Sequence, residues 1–157
     1  MYTKMMSVII LIEKIFLAIS AFSCIAISLL AIFFRYFLQN ALPWPEEITG
    51  FLLIGITVFG AGLAFKYNQH ASVDLINYLI SRTKAHLLSL LAGMISFLIS
   101  IMVTVQSIKM VVNLYETTQY CASLEYLPLW IPLLTFPAGF IFISLHCLEI
   151  VLNKIKR

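Results

Sequence analysis

Long apolar stretches that are almost free of charge decide what this chain can fold into. The first continues to Phe34 and is interrupted only by Glu13 and Lys14. A helix needs ~20 residues to cross ~30 Å of hydrocarbon, and this stretch exceeds that length. With 62% hydrophobic and 11% charged residues, the chain lacks the polar surface that a soluble domain of its size requires. The sequence therefore predicts an integral membrane protein.

The pattern of these stretches predicts an all-α fold with four transmembrane helices in a single membrane domain, residues 1–157. The short alternating segments of a transmembrane β-barrel are not visible. The first stretch is far longer than the ~7–15 residues of a signal-peptide core, which predicts a retained helix. The predicted spans are about 5–38, 45–66, 84–114 and 129–152.

A short amphipathic helix is predicted at about 72–82, between the second and third spans. Apolar residues recur there at helical spacing and polar residues take the opposite side, which is typical of a helix in the membrane interface. The second span is predicted to begin at Pro45, which suits the first helical position. Pro137 is predicted to loosen or kink the fourth span.

Lysine and arginine residues are unevenly shared between the two sides of this plan. Eight of them fall on the side of the termini, whereas Arg35 and Lys109 fall on the other side. The positive-inside rule then predicts cytoplasmic N and C termini and external links at 35–45 and 115–128. Glu13 and Lys14 are predicted to reach the cytoplasmic headgroups, where charged side chains snorkel.

An ordered series of short motifs covers about forty residues from Arg35 to Leu75. The motifs are Arg35-Tyr36, Leu42-Pro43-Trp44, Glu46-Glu47, Gly60-Ala61 with Ala64, and His70 with Val73-Asp74-Leu75. In this order and spacing the segment resembles the small membrane subunit of the TRAP (tripartite ATP-independent periplasmic) transporters, the DctQ-like family. Length and the four-helix plan match over the whole chain. Pro45 stands where that family often has Ser before the glutamate pair.

The resemblance implies an accessory role in transport and not an enzyme. In that family a periplasmic binding protein captures an organic acid, often a dicarboxylate or a sialic acid, and a large membrane subunit moves it inward with sodium. The small subunit pairs with the large one, about one to one, and meets the binding protein transiently. The family's substrate and sodium ligands lie in the large subunit. The resemblance thus implies a bacterial inner-membrane protein among lipids, with no catalytic, substrate or metal site, no cofactor and no nucleic-acid partner.

Eight residues are the candidates for partner contact or docking. For the glutamates the simpler alternative is a favourable interaction with the positive end of a helix dipole. For His70 and Asp74 the simpler alternative is a local hydrogen bond that fixes the turn into the amphipathic helix. The eight are Arg35, Trp44, Glu46, Glu47, Gly55, Gly62, His70 and Asp74.

Two alternative functions remain open from the residues alone. A small homodimeric multidrug-type exporter needs a carboxylate inside the bilayer, and Glu13 is the candidate for it. A haem-binding membrane anchor needs two histidines at similar depth on facing helices. Of His70, His86 and His146, the last two both fall near the cytoplasmic ends of their spans. The three cysteines form no Cys-x-x-Cys motif and are predicted to be buried apolar side chains.

Overall fold

A computed structural model describes residues 2–67 and 82–155, and most of this part of the chain is helical. Four helical segments are long and apolar enough to cross a membrane, which confirms the predicted all-α fold with four spans. The amphipathic helix predicted at about 72–82 falls almost wholly outside the described residues, as do His70 and Asp74. The helices are α1 (Tyr2–Tyr36), α2 (Trp44–Lys66), α3 (Arg82–Glu116), α4 (Trp130–Leu133) and α5 (Thr135–Ile155).

The four long helices pack in the spatial order α1, α2, α5, α3. Each makes most of its contacts with its neighbours in that order, so α2 and α5 lie in the middle and α1 and α3 flank them. The flanking helices are accordingly the least buried of the four spans. The molecule is therefore an open array, and two of its helices present broad apolar faces.

The core of the array lies between α2 and α5. Val58, Ile143 and Cys147 are buried together there, and phenylalanines from both helices pack around them. The rings of Phe16 and Phe59 approach to 4.4 Å between centroids and join α1 to this core. Burial of large apolar side chains thus holds each helix to the next.

Three glycines allow these helices to approach closely. A Cβ added at Gly139 would lie 2.5 Å from Cγ1 of Val58, and one at Gly55 would lie 3.1 Å from the Phe16 ring. At Gly62 it would lie 3.1 Å from the Glu13 carboxylate. At Gly139 the space of a side chain is already occupied, and at Gly55 and Gly62 even a methyl group would fit tightly.

The fourth span is broken one turn before Pro137. The helix runs through α4, stops at Leu134 and resumes as α5. Proline at position 137 has no N–H to donate to the Leu133 carbonyl and its ring crowds that group. The backbone hydrogen bonds from Leu134 to Trp130 and from Ala138 to Leu134 are kept, at 3.1 and 3.2 Å. The predicted kink therefore appears as an interruption of the helix.

Candidate functional site: polar contacts at the two ends of the array

An exposed ion pair lies where α1 ends and α2 begins. Nη2 of Arg35 is 2.7 Å from Oε1 of Glu46, and both side chains are more than half exposed. A groove of about 310 Å³ opens beside the pair between the two helices and is lined partly by Ser28 and Ile32. Arg35 has further N–H donors, and Glu46 has a second oxygen. Both groups can therefore bind an additional partner.

Glu47, one residue further on, holds the loop that follows α3. Its two carboxylate oxygens accept the backbone N–H groups of Ala122 at 2.9 Å and of Ser123 at 2.8 Å. The preceding residue, Cys121, is buried with 2% of its surface exposed. Burial, assisted by the charge of Glu47, raises the pKa of the Cys121 thiol. Glu47 thus fixes this loop to the start of α2.

Aromatic side chains surround this end of the array. Trp44 at the start of α2 is partly exposed. The rings of Tyr115 and Trp130 meet edge to face at 5.6 Å between centroids. Tyrosine and tryptophan collect at the level of the lipid headgroups. Their presence favours an interface with the lipid headgroups at this end of the array.

A buried acid–base pair lies toward the opposite end. Nε2 of His146 on α5 is 3.0 Å from Oε2 and 3.3 Å from Oε1 of Glu13 on α1. Both side chains are completely buried. Gly62 on α2 faces the pair, where any larger residue would meet the carboxylate. The other ring nitrogen, Nδ1, has no hydrogen-bond partner among the described residues.

A second ion pair joins α2 to α5 at the same end. Nζ of Lys66 lies 2.6 and 2.5 Å from the two carboxylate oxygens of Glu149, and both side chains are mostly buried. The ammonium group of Lys14 lies 5.3 Å from the centre of the Tyr67 ring, within the range of a cation–π contact. Charged side chains of α1, α2 and α5 are therefore held together here.

The expectation that Glu13 reaches the headgroups is wrong. Its carboxylate is enclosed by α1, α2 and α5 and bound to His146. Burial of one charged or polar group is tolerated because the other satisfies it. The spacing of 133 residues between them explains why each looked like an isolated interfacial side chain.

Of the eight predicted docking residues, His70 and Asp74 lie outside the described residues and the other six fall into three groups. Arg35 and Glu46 pair with each other, near the partly exposed Trp44, while Glu47 binds the loop of this chain. Gly55 and Gly62 face the chain's own helices, so their small size serves internal packing and not a surface. Sequence reasoning overlooked Gly139, although a glycine inside an apolar span is itself a signal of close helix contact.

The chain matches the family model described as "Tripartite ATP-independent periplasmic transporters, DctQ component" over residues 24–157. The chain belongs to this family. No curated protein matches it. The matched region contains all of α2 to α5 and the part of α1 that leads to Arg35.

Membership makes this DctQ protein a small subunit of a TRAP transporter and not an enzyme. DctQ proteins work with a large TRAP membrane subunit and a periplasmic binding protein. Together with four apolar spans, this supports a multi-pass protein of the bacterial inner membrane. This family assignment takes the place of the exporter and haem-anchor alternatives.

Proposed function

We propose that this DctQ protein is the accessory subunit of a sodium-coupled importer of an organic acid, of the dicarboxylate or sialic-acid type. It pairs about one to one with the large subunit and has no transport site of its own. The observation that carries this is the pairing of its buried ionisable groups. Among the described residues, Glu13 is paired with His146 and Lys66 with Glu149. Groups paired in this way are not free to bind a substrate anion or a cation.

Contact with the periplasmic binding protein is proposed at the end that carries Arg35, Trp44 and Glu46. The positive-inside rule predicts that this end faces away from the cytoplasm. The ion pair is exposed and lies beside an open groove. Charges of this kind steer an encounter and set its orientation more than they hold a complex together. A binding protein that delivers its substrate and then dissociates needs a transient contact of this kind.

Purification from native membranes tests the pairing. A tag placed after Arg157 is expected to retain a much larger multi-helix protein at about one to one in mild detergent. Recovery of the chain alone, or as a homodimer, would contradict the accessory role.

Reconstitution tests the transport claims. Proteoliposomes that hold the large subunit and this chain are expected to take up radiolabelled organic acids when the binding protein and an inward sodium gradient are supplied. Omission of this chain should abolish uptake, and replacing sodium with potassium should do the same. Uptake by this chain alone would show that it is itself a transporter.

A further inference from the structure

A line of exposed side chains runs along α3 with alternating spacings of four and three residues. Such a repeat of about 3.5 residues is the pattern by which one helix packs lengthwise against another. The line lies away from Ser107, Val111 and Leu114, which are buried. We call it the α3 seam, and its members are Ile95, Ile99, Met102, Gln106, Lys109 and Asn113, all exposed.

The second half of the α3 seam is polar at a depth where lipid offers no hydrogen bonds. We take the level of Tyr115, which packs on Trp130, as the membrane interface, because tyrosine and tryptophan collect there. Gln106 precedes it by nine residues, which is about 14 Å along the helix and close to the middle of ~30 Å of hydrocarbon. Among the described residues, neither Gln106 nor Lys109 has a hydrogen-bond partner for its side chain. An exposed amide at this depth is costly against lipid.

The other flanking helix provides a contrast. An equivalent line of exposed residues on α1 has the same spacing but is apolar throughout. Lipid tails can cover such a face without leaving a polar group unsatisfied. Its members are Val8, Ile12, Ile15, Ile19, Phe22, Ala26, Leu29 and Phe33.

We propose that the α3 seam is the surface that receives a helix of the large subunit, and that this helix carries a carboxylate at the depth of Lys109. The inference rests on the proposed function, because it requires the large subunit as partner. Ile95, Ile99 and Met102 supply apolar packing. Lys109 offers a positive charge that no described carboxylate of this chain neutralises. A polar residue in such a seam also fixes the register of the two helices.

Photo-cross-linking in intact membranes tests the location. A benzophenone amino acid is placed at Met102, which is 69% exposed, and in a matched protein at Phe22 on α1, which is 76% exposed. We expect the Met102 position to yield a product with the combined mass of the two subunits, and the Phe22 position to yield at least tenfold less. Equal yields, or a product from Phe22 alone, would overturn the proposal.

Charge variants test the chemistry. Lys109→Met and Gln106→Leu are expected to weaken association with the large subunit by roughly 3- to 30-fold each, the range of a lost interhelical hydrogen bond. Lys109→Arg keeps the positive charge and should leave the association unchanged. Ile19→Met on α1 should leave it unchanged as well. Association is measured by titration of detergent in the tagged pull-down. If the Lys109→Met variant bound the large subunit as tightly as the unaltered chain, the proposal of a carboxylate on the partner helix would be overturned.

The outcomes separate this inference from the proposed function. Co-purification of the large subunit without cross-links from the α3 seam would overturn the inference and keep the function. A cross-linked product of twice the chain's own mass would identify a second copy as the occupant and overturn the inference as well. Absence of any large partner in the pull-down would contradict the function itself.

Discussion

At the scale of single residues, the Glu13–His146 pair is the most consequential contact in the array. It joins the outermost helix α1 to α5 in the middle, at 3.0 Å and with both side chains fully buried. A buried pair of this kind adds little net stability over an apolar pair, yet loss of one partner leaves the other uncompensated. Its value therefore lies in fixing the position of α1.

Glu13→Leu and His146→Leu are each expected to lower the free energy of unfolding by about 3–5 kcal/mol, the cost of an unpaired buried charge. The double variant should recover most of this loss, because both polar groups are removed together. Thermal unfolding in detergent micelles measures the cycle. As a control, Glu46→Gln at the exposed pair should change stability by less than about 1 kcal/mol. Additive losses in the double variant would show that the two residues do not depend on each other.

Cys121 reports on the loop that Glu47 holds. Its thiol is buried and its pKa is raised, so at a given pH less of it is thiolate than for an ordinary cysteine. In a Cys24→Ser, Cys147→Ser background, maleimide labelling should be slow near neutral pH and speed up as the pH rises toward the raised pKa.

Glu47→Ala should accelerate that labelling, because it releases the N–H groups of Ala122 and Ser123 and removes the neighbouring negative charge. Glu46→Ala is the matched control and should leave the rate unchanged. Equal rates in all three proteins would show that Glu47 does not fix the loop.

At the scale of helices, the close contact between α2 and α5 depends on Gly139. The space that a methyl group would need is occupied by Val58. Gly139→Ala is expected to lower stability by about 1–3 kcal/mol, the usual cost of overpacking. Gly60→Ala is the matched control, since no atom lies within 4 Å of its added Cβ, and it should be neutral or stabilising by up to about 1 kcal/mol. Similar unfolding temperatures for the two variants would contradict this account.

The helices themselves could be predicted because length and apolarity determine them. Four spans follow from four apolar stretches, and α2 begins at Trp44, within one residue of the predicted start. The sequence predicts a loosening or kink at Pro137, and the structure shows an interruption of the helix at Leu134. Contacts between helices could not be predicted in the same way. His146 on α5 and Glu13 on α1 each carry no local mark of the other, and the inward direction of Gly55 depends on where Phe16 packs.

At the scale of the whole molecule, the two ends of the array differ in charge and in chemistry. Arg35 and the loop after α3 lie at one end, while Lys66 and the paired acids lie at the other. We expect the first end to face the periplasm and both termini to face the cytoplasm, by the positive-inside rule.

Cysteine accessibility in intact cells measures that orientation. In a cysteine-free background, Tyr126→Cys, at a residue that is 80% exposed, should react with a membrane-impermeant thiol reagent added outside spheroplasts. A cysteine added after Arg157 should react only after lysis. The reverse pattern would show that the protein lies inverted in the membrane.

The distance in sequence between Glu13 and His146 has a consequence for biogenesis. The ribosome makes Glu13 first, and the 133 residues up to His146 take on the order of ten seconds at bacterial rates of synthesis. During that interval the first helix carries an uncompensated carboxylate. Only arrival of the last helix supplies its partner His146, and with it the element that lies between α2 and α3. A nascent or truncated chain that lacks the last span therefore differs from a finished one in having Glu13 unpaired. Synthesis of the last span completes the helix array.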